Sequence, residues 1–483
     1  MAEVETEESI PDAESLIESM RAVGYSPETA ISDLIDNSIA AGASEVEIQY
    51  DATTGRPFVA VLDNGSGMNL DELRQAMRHG SQSPNVARKN TDLGRFGLGL
   101  KTASLSQCRR LTVASKKDGA IHARQWDLDV VKKKQNWVTV IPTSAELEKL
   151  PKIHELSSRS SGTLVVWEEL DRLVAGASDM SREMTLKMQP LYAHLALVFH
   201  RYLNGGDGPF NVAMWVNGLT VAALDPFLRS NTHRQVLEGQ VIRHPRGDVA
   251  VQPYVLPPVS RLTPEEIHLA GGADGLRGTQ GFYVYRNFRL VVWGTWFKLV
   301  PKTEFFKLTR VLVDIPNTFD DLWALDIKKS AAYPPEPIRR RLQELIPHFA
   351  AASRLTITYP GRKATTATRH PLWVRVEPKI GSFRYEIDVE HPAVAGFAAR
   401  IGPSHQHQLQ ALLALTSELV PYEGIYSDMC GDSRVSAAAD YERIRELASA
   451  LMEVGGLPFD KVLSIDPIDR FPQFHQQLEQ ELT

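Results

Sequence analysis

Residues 26–42 constrain this chain more than any other stretch, because both ends of a helix are written into them. Ser26 is a preferred N-cap type, and Pro27 follows at the first helical position, where no N–H is needed. Gly42 marks the stop, since glycine enters the left-handed conformation without a Cβ clash. Inside this helix runs Ser32-Asp33-Leu34-Ile35-Asp36-Asn37-Ser38. Asp33 and Asn37 are one turn apart and share a face. A carboxylate there can orient an attacking water. An amide oxygen one turn later can coordinate Mg2+, a hard cation that takes oxygen ligands beside phosphates. Asp36 is rotated off that face. A solvated helix face would carry similar residues, so this box gains meaning only from its neighbours.

Three further boxes follow in order. Asp63-Asn64-Gly65-Ser66-Gly67-Met68 comes directly after a predicted strand. Asp63 can accept a hydrogen bond from an exocyclic amine such as adenine's, and Gly65 and Gly67 let backbone approach a planar ring. Gly94-Arg95-Phe96-Gly97-Leu98-Gly99-Leu100-Lys101-Thr102 enters an apolar helical stretch. Its glycines leave free N–H groups along the helix dipole, which suits anions, and Lys101 adds charge. It is not a Walker A loop, because Leu100 separates Gly99 from Lys101, and its glycine spacing is the reverse of the dinucleotide fingerprint. The last box, Ser161-Gly162-Thr163, leads into the strand-like Leu164–Trp167 and draws its weight from position.

Around these boxes, strands are predicted at Glu45–Tyr50, Pro57–Leu62, Arg110–Ser115, Ala120–Asp127, Trp137–Ile141 and Thr163–Trp167, with helices at Asp12–Val23 and from Asn69 to Arg78. A second region opens with a helix and turns strand-rich. It includes hairpins at Asn217-Gly218 and between Gly281–Tyr285 and Leu290–Trp293, the β-branched run Val311–Ile315, and a helix at Glu336–Ala351. A third region pairs strand-like Phe383–Val389 with helices at Gln406–Leu419 and Ala437–Val454. At 483 residues, two to four domains are expected. No window approaches the ~18 apolar residues of a membrane helix. The acidic start lacks the regions of a signal peptide, and two cysteines, Cys108 and Cys430, exclude a disulfide scaffold. A cytoplasmic protein that does not engage a membrane is the expectation.

Taken in order, the four boxes resemble the ATP-binding domain shared by gyrase, the ninety-kilodalton heat-shock chaperones, histidine kinases and MutL (the GHKL superfamily). The resemblance covers about residues 12–171. It implies an α+β chain: a Bergerat-type ATP-binding α/β sandwich at 12–183 after a flexible tail at 1–11, a transducer-like α/β domain at 184–355, and a smaller mixed C-terminal interaction or dimerisation domain at 356–483. It further implies ATP and Mg2+ as cofactors. Asp33 falls at the general base and Asn37 at the magnesium ligand. Asp63 would meet the adenine amine, with Gly65, Gly67 and Met68 beside the ring and Thr163 in support. Gly94, Gly97, Leu98, Gly99, Leu100 and Lys101 would hold phosphates, and residues 80–96 would form a lid. Lys328 or Lys329, in a loop before the last helix of the second domain, would reach the γ-phosphate.

The strand-rich second region favours the gyrase, MutL and MORC branch, and the phrase from Asp33 to Ala43 is similar to the first box of prokaryotic MORC and MutL-like proteins. One departure stands out. MutL, gyrase and the chaperones carry glutamate at the base position, whereas this chain has the shorter Asp33, so slow hydrolysis is expected. The family also implies ATP-driven homodimerisation and work on DNA or with DNA-processing proteins, with a restriction-like or phage-defence role among prokaryotic members. A chaperone-like clamp and a nucleotide-sensing scaffold remain as alternatives.

Net charge of −6 conceals an uneven distribution. From Arg339 to Lys379 there are nine basic residues against Glu344 and Glu377, a local balance of +7. Phosphate contact dominates nonspecific DNA affinity, so Arg339, Arg340, Arg341, Arg362 and Lys363 are the candidate nucleic-acid residues. From Ile380 onward, sixteen acidic residues face seven basic ones, a poor DNA surface. Glu386, Asp388 and Glu390 are expected along an exposed strand face rather than in a metal site, and His391, His405 and His407 on the surface.

Overall fold

The computed structural model describes residues 11–22, 24–53, 55–78, 99–174, 176–209, 211–320, 322–325, 332–358, 372–379, 382–425, 441–453, 456–465, 468 and 471–482. The chain is a mixture of helices and mixed sheets. It divides into two compact units, Met1–Thr358 and Tyr359–Thr483.

Helix α1 (Ala13–Arg21) is capped by the Asp12 carboxylate, which accepts from Ser15 N. Helix α2 (Pro27–Ala40) runs as its end signals predict, and Gly42 has φ +74°. The Ser26 side chain, however, makes no capping bond to the helix and instead shares a hydrogen bond with Thr29 Oγ1. Helix α3 (Leu70–Met77) starts from a reciprocal Asn69–Glu72 capping box. Helix α4 (Gly99–Leu105) begins inside the third motif.

The first sheet is built from β1 (Glu45–Asp51), β2 (Phe58–Asp63), β3 (Arg110–Lys117), β4 (Ala120–Asp127), β5 (Gly162–Glu168), β6 (Ala213–Val216) and β7 (Leu219–Thr220), in the order β4-β3-β5-β2-β1-β6-β7. Its strands follow the two-residue period of a sheet covered on both faces. Val59 and Val61 of β2, Leu111 and Val113 of β3, and Val165 and Trp167 of β5 enter the main core with α2. The alternate residues Ala60, Leu62, Ala114, Leu164 and Val166 pack with Ile153 and Leu156 of a short helix on the opposite face.

Two segments depart from the sequence expectation. Trp137–Ile141 is not a strand; only an isolated bridge joins Val140 to Gln125. An aromatic and β-branched run does not become a strand without a ladder to join. The Asn217-Gly218 hairpin forms, but it extends the first sheet, with β6 parallel to β1, rather than the second strand-rich region.

The second sheet comprises β8 (Gln235–Val236), β9 (Gln240–Ile242), β10 (Val249–Val255), β11 (Gly281–Arg286), β12 (Arg289–Thr295) and β13 (Thr309–Ile315), with the central order β12-β11-β13-β10. Phe282 and Val284 of β11 face Ile338, Leu342, Leu345, Ile346 and Phe349 of the Glu336–Thr358 helix. Tyr283 and Tyr285 face the other way, onto Phe227, Leu290 and Leu312.

In the unit Tyr359–Thr483, strands Trp373–Lys379 and Ser382–Ile387 form an antiparallel pair against the Pro403–Glu418 helix, whose Ser417 Oγ accepts from Ile387 N. The strand ends at Ile387, so Glu386, Asp388 and Glu390 do not line one strand face; Glu386 pairs with Arg384, and Asp388 Oδ1 accepts from Glu390 N. His391 is buried rather than on the surface, its Nδ1 accepting from Ala393 N at a helix start.

Candidate functional site

The site forms where the helix face of the first sheet reaches its strand ends. The two-residue period that sends Val59 and Val61 inward continues to Asp63, the last residue of β2. The register sets Asp63 opposite Thr163 of β5, and Thr163 opposite Ser115 of β3. These three polar side chains therefore form one row across adjacent strands, on the face that α2 covers. Ser115 Oγ and Thr163 Oγ1 share a hydrogen bond of 2.9 Å.

Asp63 is the hub of that row. Its Oδ1 accepts from Gly65 N at 2.9 Å and Thr163 N at 3.1 Å, and its Oδ2 accepts from Ser38 Oγ of α2 at 2.8 Å. Burial pushes its carboxyl above the usual carboxylate range, against these bonds and the Arg159 charge. Ser161 Oγ donates to Gly65 O, and Met68 N donates to Ser115 Oγ. The first, second and fourth motifs are thus tied together by hydrogen bonds. Gly67 is required there: its φ is +65°, and a Cβ would sit 1.9 Å from Lys116 O. Gly65 is packed against Ala41, and Met68 borders the main core.

Helix α2 packs across this row, with Ser38 bonded to Asp63. Residues 30–36, 38 and 39 are buried, while Asn37 is exposed, so this helix opens to solvent at the amide that the sequence singled out. Asp33, one turn earlier, is 6% exposed, and its Oδ2 accepts from the Tyr25 hydroxyl at 3.2 Å. Tyr25 is held in turn by Gln107 Nε2, which donates to its carbonyl. The start of α4 lies alongside: a Cβ on Gly99 would be 3.6 Å from Asp33 Oδ2. Leu100 packs on the main core. Thr102 Oγ1 in the same helix is buried with no hydrogen-bond partner among the described residues.

Lys101 does not join this group. It is buried, and its Nζ donates to Ala76 O and Arg78 O at the C-terminal end of α3, 2.8 Å each. Those carbonyls are natural acceptors for an ammonium. Burial brings its pKa down to about 8. Gly94, Gly97 and Leu98, the lid at 80–96, Lys328 and Lys329, and Arg362 and Lys363 lie outside the described residues. Arg339, Arg340 and Arg341 are exposed on the last helix of the first unit, but each is within 4 Å of a carboxylate: Glu336 for the first two and Glu344 for the third.

Tyr25, Ser38 and Ser115 were not singled out for these roles from sequence. Ser38 had a visible signal, since it follows Asn37 in the first box. Tyr25 and Ser115 did not, because their value depends on a turn and a cross-strand register.

Residues 25–163 match the family model described as histidine kinase-, DNA gyrase B- and HSP90-like ATPase, and its limits fall on Tyr25 and Thr163. This part of the chain is a GHKL ATPase domain. The chain is 34% identical over 98 residues to the DNA mismatch repair protein MutL of Azorhizobium caulinodans, which is 20% of this chain and 16% of that protein. It is 33% identical over 97 residues to ATPase morc-1 of Caenorhabditis elegans, 20% of this chain and 11% of that protein. A MutL of Neisseria meningitidis serogroup C is 33% identical over 103 residues, 20% of this chain and 15% of that protein. The matches therefore span under one-fifth of each relative's length and concern the GHKL domain alone.

The residues of this GHKL domain fit a nucleotide with Mg2+. Asn37 offers an exposed oxygen beside a buried carboxylate, Asp63 offers a buried acceptor, Gly67 holds backbone where a side chain would collide, and Gly99 brings the start of α4 beside Asp33. No helix of the described residues is long and apolar enough to cross a membrane.

Proposed function

We propose that the chain is an ATP- and Mg2+-dependent conformational switch with slow ATPase activity, of MORC and MutL type. The observation that carries this reading is the Asp63–Thr163–Ser115 row facing a helix that presents Asp33 and Asn37 one turn apart. Asp63 would accept from the adenine amine, with Gly65, Gly67 and Met68 along the ring and Thr163 supporting Asp63. Asn37 would hold Mg2+, which when bound with ATP neutralises phosphate charge. Asp33 would take the proton of the attacking water, steadied by Tyr25. Gly99 and Leu100 would border the phosphates.

The same reading extends to the second sheet as a transducer, to ATP-driven homodimerisation, and to action on DNA or with DNA-processing proteins, in a cytoplasmic restriction-like or phage-defence setting. The MutL relatives, DNA mismatch repair proteins by name, support the DNA step, and the MORC relative, an ATPase by name, supports nucleotide turnover. The pairing of Arg339, Arg340 and Arg341 with Glu336 and Glu344 favours the second reading, a clamp on protein partners, because paired guanidinium groups have less to offer phosphate.

Calorimetry with a non-hydrolysable ATP analogue, with and without Mg2+, tests the first claim; no heat of binding at millimolar nucleotide would remove it. Retention on duplex DNA across a salt series tests the second. Charge removal at the three arginines should flatten the salt slope. An unaltered chain that shows no retention at low salt leaves the protein-clamp reading.

A further inference from the structure

Asp36 sits between the two functional residues of α2 but points elsewhere. It is 1% exposed and accepts from Arg289 Nε at 2.8 Å; Arg289 opens β12 and is 4% exposed. A carboxylate at that depth needs such a partner. The contact joins the first motif to the second sheet across 253 positions of sequence.

The rest of the β11–β12 turn is pressed against residues 199–202, which follow the Leu191–Val198 helix. Tyr202 donates its hydroxyl proton to Asn287 O, and its ring meets Phe288 edge to face at 6.4 Å. The Arg201 guanidinium lies 4.4 Å from the Phe288 ring centre, and that of Arg289 lies 5.7 Å from Phe199. Both turn residues are left-handed, Asn287 at φ 48° and Phe288 at φ 64°. That conformation is unfavourable for a bulky phenylalanine and persists only where surroundings fix it. Here the clamp of Tyr202 and Arg201 does so.

We infer that the Asp36–Arg289 pair is a strut that positions Asn37 and Asp33, so that the placement of the second sheet sets metal binding and hydrolysis. This rests on the ATPase reading above. Helix α2 moves as one body: Asp36 is adjacent to Asn37 and one turn from Asp33, so a shift at Asp36 is transmitted to both. The strut acts through α2 and touches no substrate; Asp36 and Arg289 are positioning residues.

The test uses the full chain and two variants. Arg289→Lys keeps the charge but loses the Nε geometry. Asp36→Leu/Arg289→Met replaces the buried pair with apolar groups, an exchange that often preserves stability. Melting temperature, affinity for a non-hydrolysable ATP analogue, kcat and the Mg2+ dependence of kcat are measured for each. The strut predicts near-native melting and nucleotide affinity in both, with kcat lowered about tenfold or more and half-saturation moved to higher Mg2+. Native kcat and Mg2+ response in a stably folded double variant overturns it, because the pair is then only structural. Unfolding of Arg289→Lys overturns it in the same way. If the unaltered chain binds no nucleotide, the ATPase reading fails and takes the strut with it; if that chain binds and turns over ATP while the variants match it, only the strut falls.

Discussion

Asp63→Asn separates the pocket from the fold. Asp63 Oδ1 accepts two backbone N–H bonds, so an asparagine must place its carbonyl oxygen there; the reverse orientation would set its amide against two donors. The amide nitrogen then takes the Oδ2 position beside Ser38. Ser38 Oγ can accept from it and direct its own proton to Leu34 O, 3.3 Å away. Every native contact is therefore kept or inverted, and melting should change little. The adenine amine meets a different result: a charged acceptor is gone and a donor can stand in its place. A hydrogen bond to a charged group contributes about 1.5–3 kcal/mol. ATP affinity should thus fall roughly ten- to a hundred-and-fiftyfold, read by calorimetry with a non-hydrolysable analogue. Asp63→Ala is a poorer probe, because it leaves the Gly65 and Thr163 amides buried without an acceptor, at about 1–3 kcal/mol each. A folded Asp63→Asn protein with native ATP affinity would refute the assignment of Asp63 to the adenine amine.

Four further outcomes follow from contacts in and around the site. Asp33→Asn should bind ATP and release no phosphate, and Tyr25→Phe should lower kcat about tenfold at unchanged affinity, since it removes one hydrogen bond from Asp33; native turnover in Asp33→Asn would place the base elsewhere. Gly67→Ala should lose several kcal/mol of stability in denaturant unfolding, because its Cβ would collide with Lys116 O at a left-handed position. Lys101 has a folded pKa near 8, below the 10.5 of an exposed lysine, so between those values the unfolded chain binds the extra proton and stability rises with pH. Lys101→Met should remove that rise in unfolding curves taken from pH 8 to 10; an unchanged slope would show that Lys101 is not the group responsible.

Much of the GHKL domain was legible in sequence because its signals are local. Helix α2 announced both of its ends, α3 its start at Asn69, and β2 and β5 their short apolar runs. Asp33, Asn37, Asp63 and Thr163 could be picked out because each stands inside a short motif. What failed to show depends on distant partners. Trp137–Ile141 has strand-like residues but no ladder, and the Asn217-Gly218 hairpin could not announce which sheet it would join. Lys101 reads as a phosphate lysine by position, yet the direction of its side chain is set by the carbonyl end of α3. Asp36 looks like a spare acid on a polar face until Arg289 arrives from the second sheet. The Arg339–Arg341 run reads as free positive charge until the glutamates three or four positions away on the same helix are counted against it.

The most direct test of the switch is the solution mass of the full chain, by light scattering, with Mg2+ and either no nucleotide or a saturating non-hydrolysable ATP analogue. The analogue should double the mass, and Asp63→Asn should abolish the change at the same concentration. An unchanged mass, with calorimetry showing the site filled, would contradict an ATP-driven switch and leave a chain that only binds nucleotide.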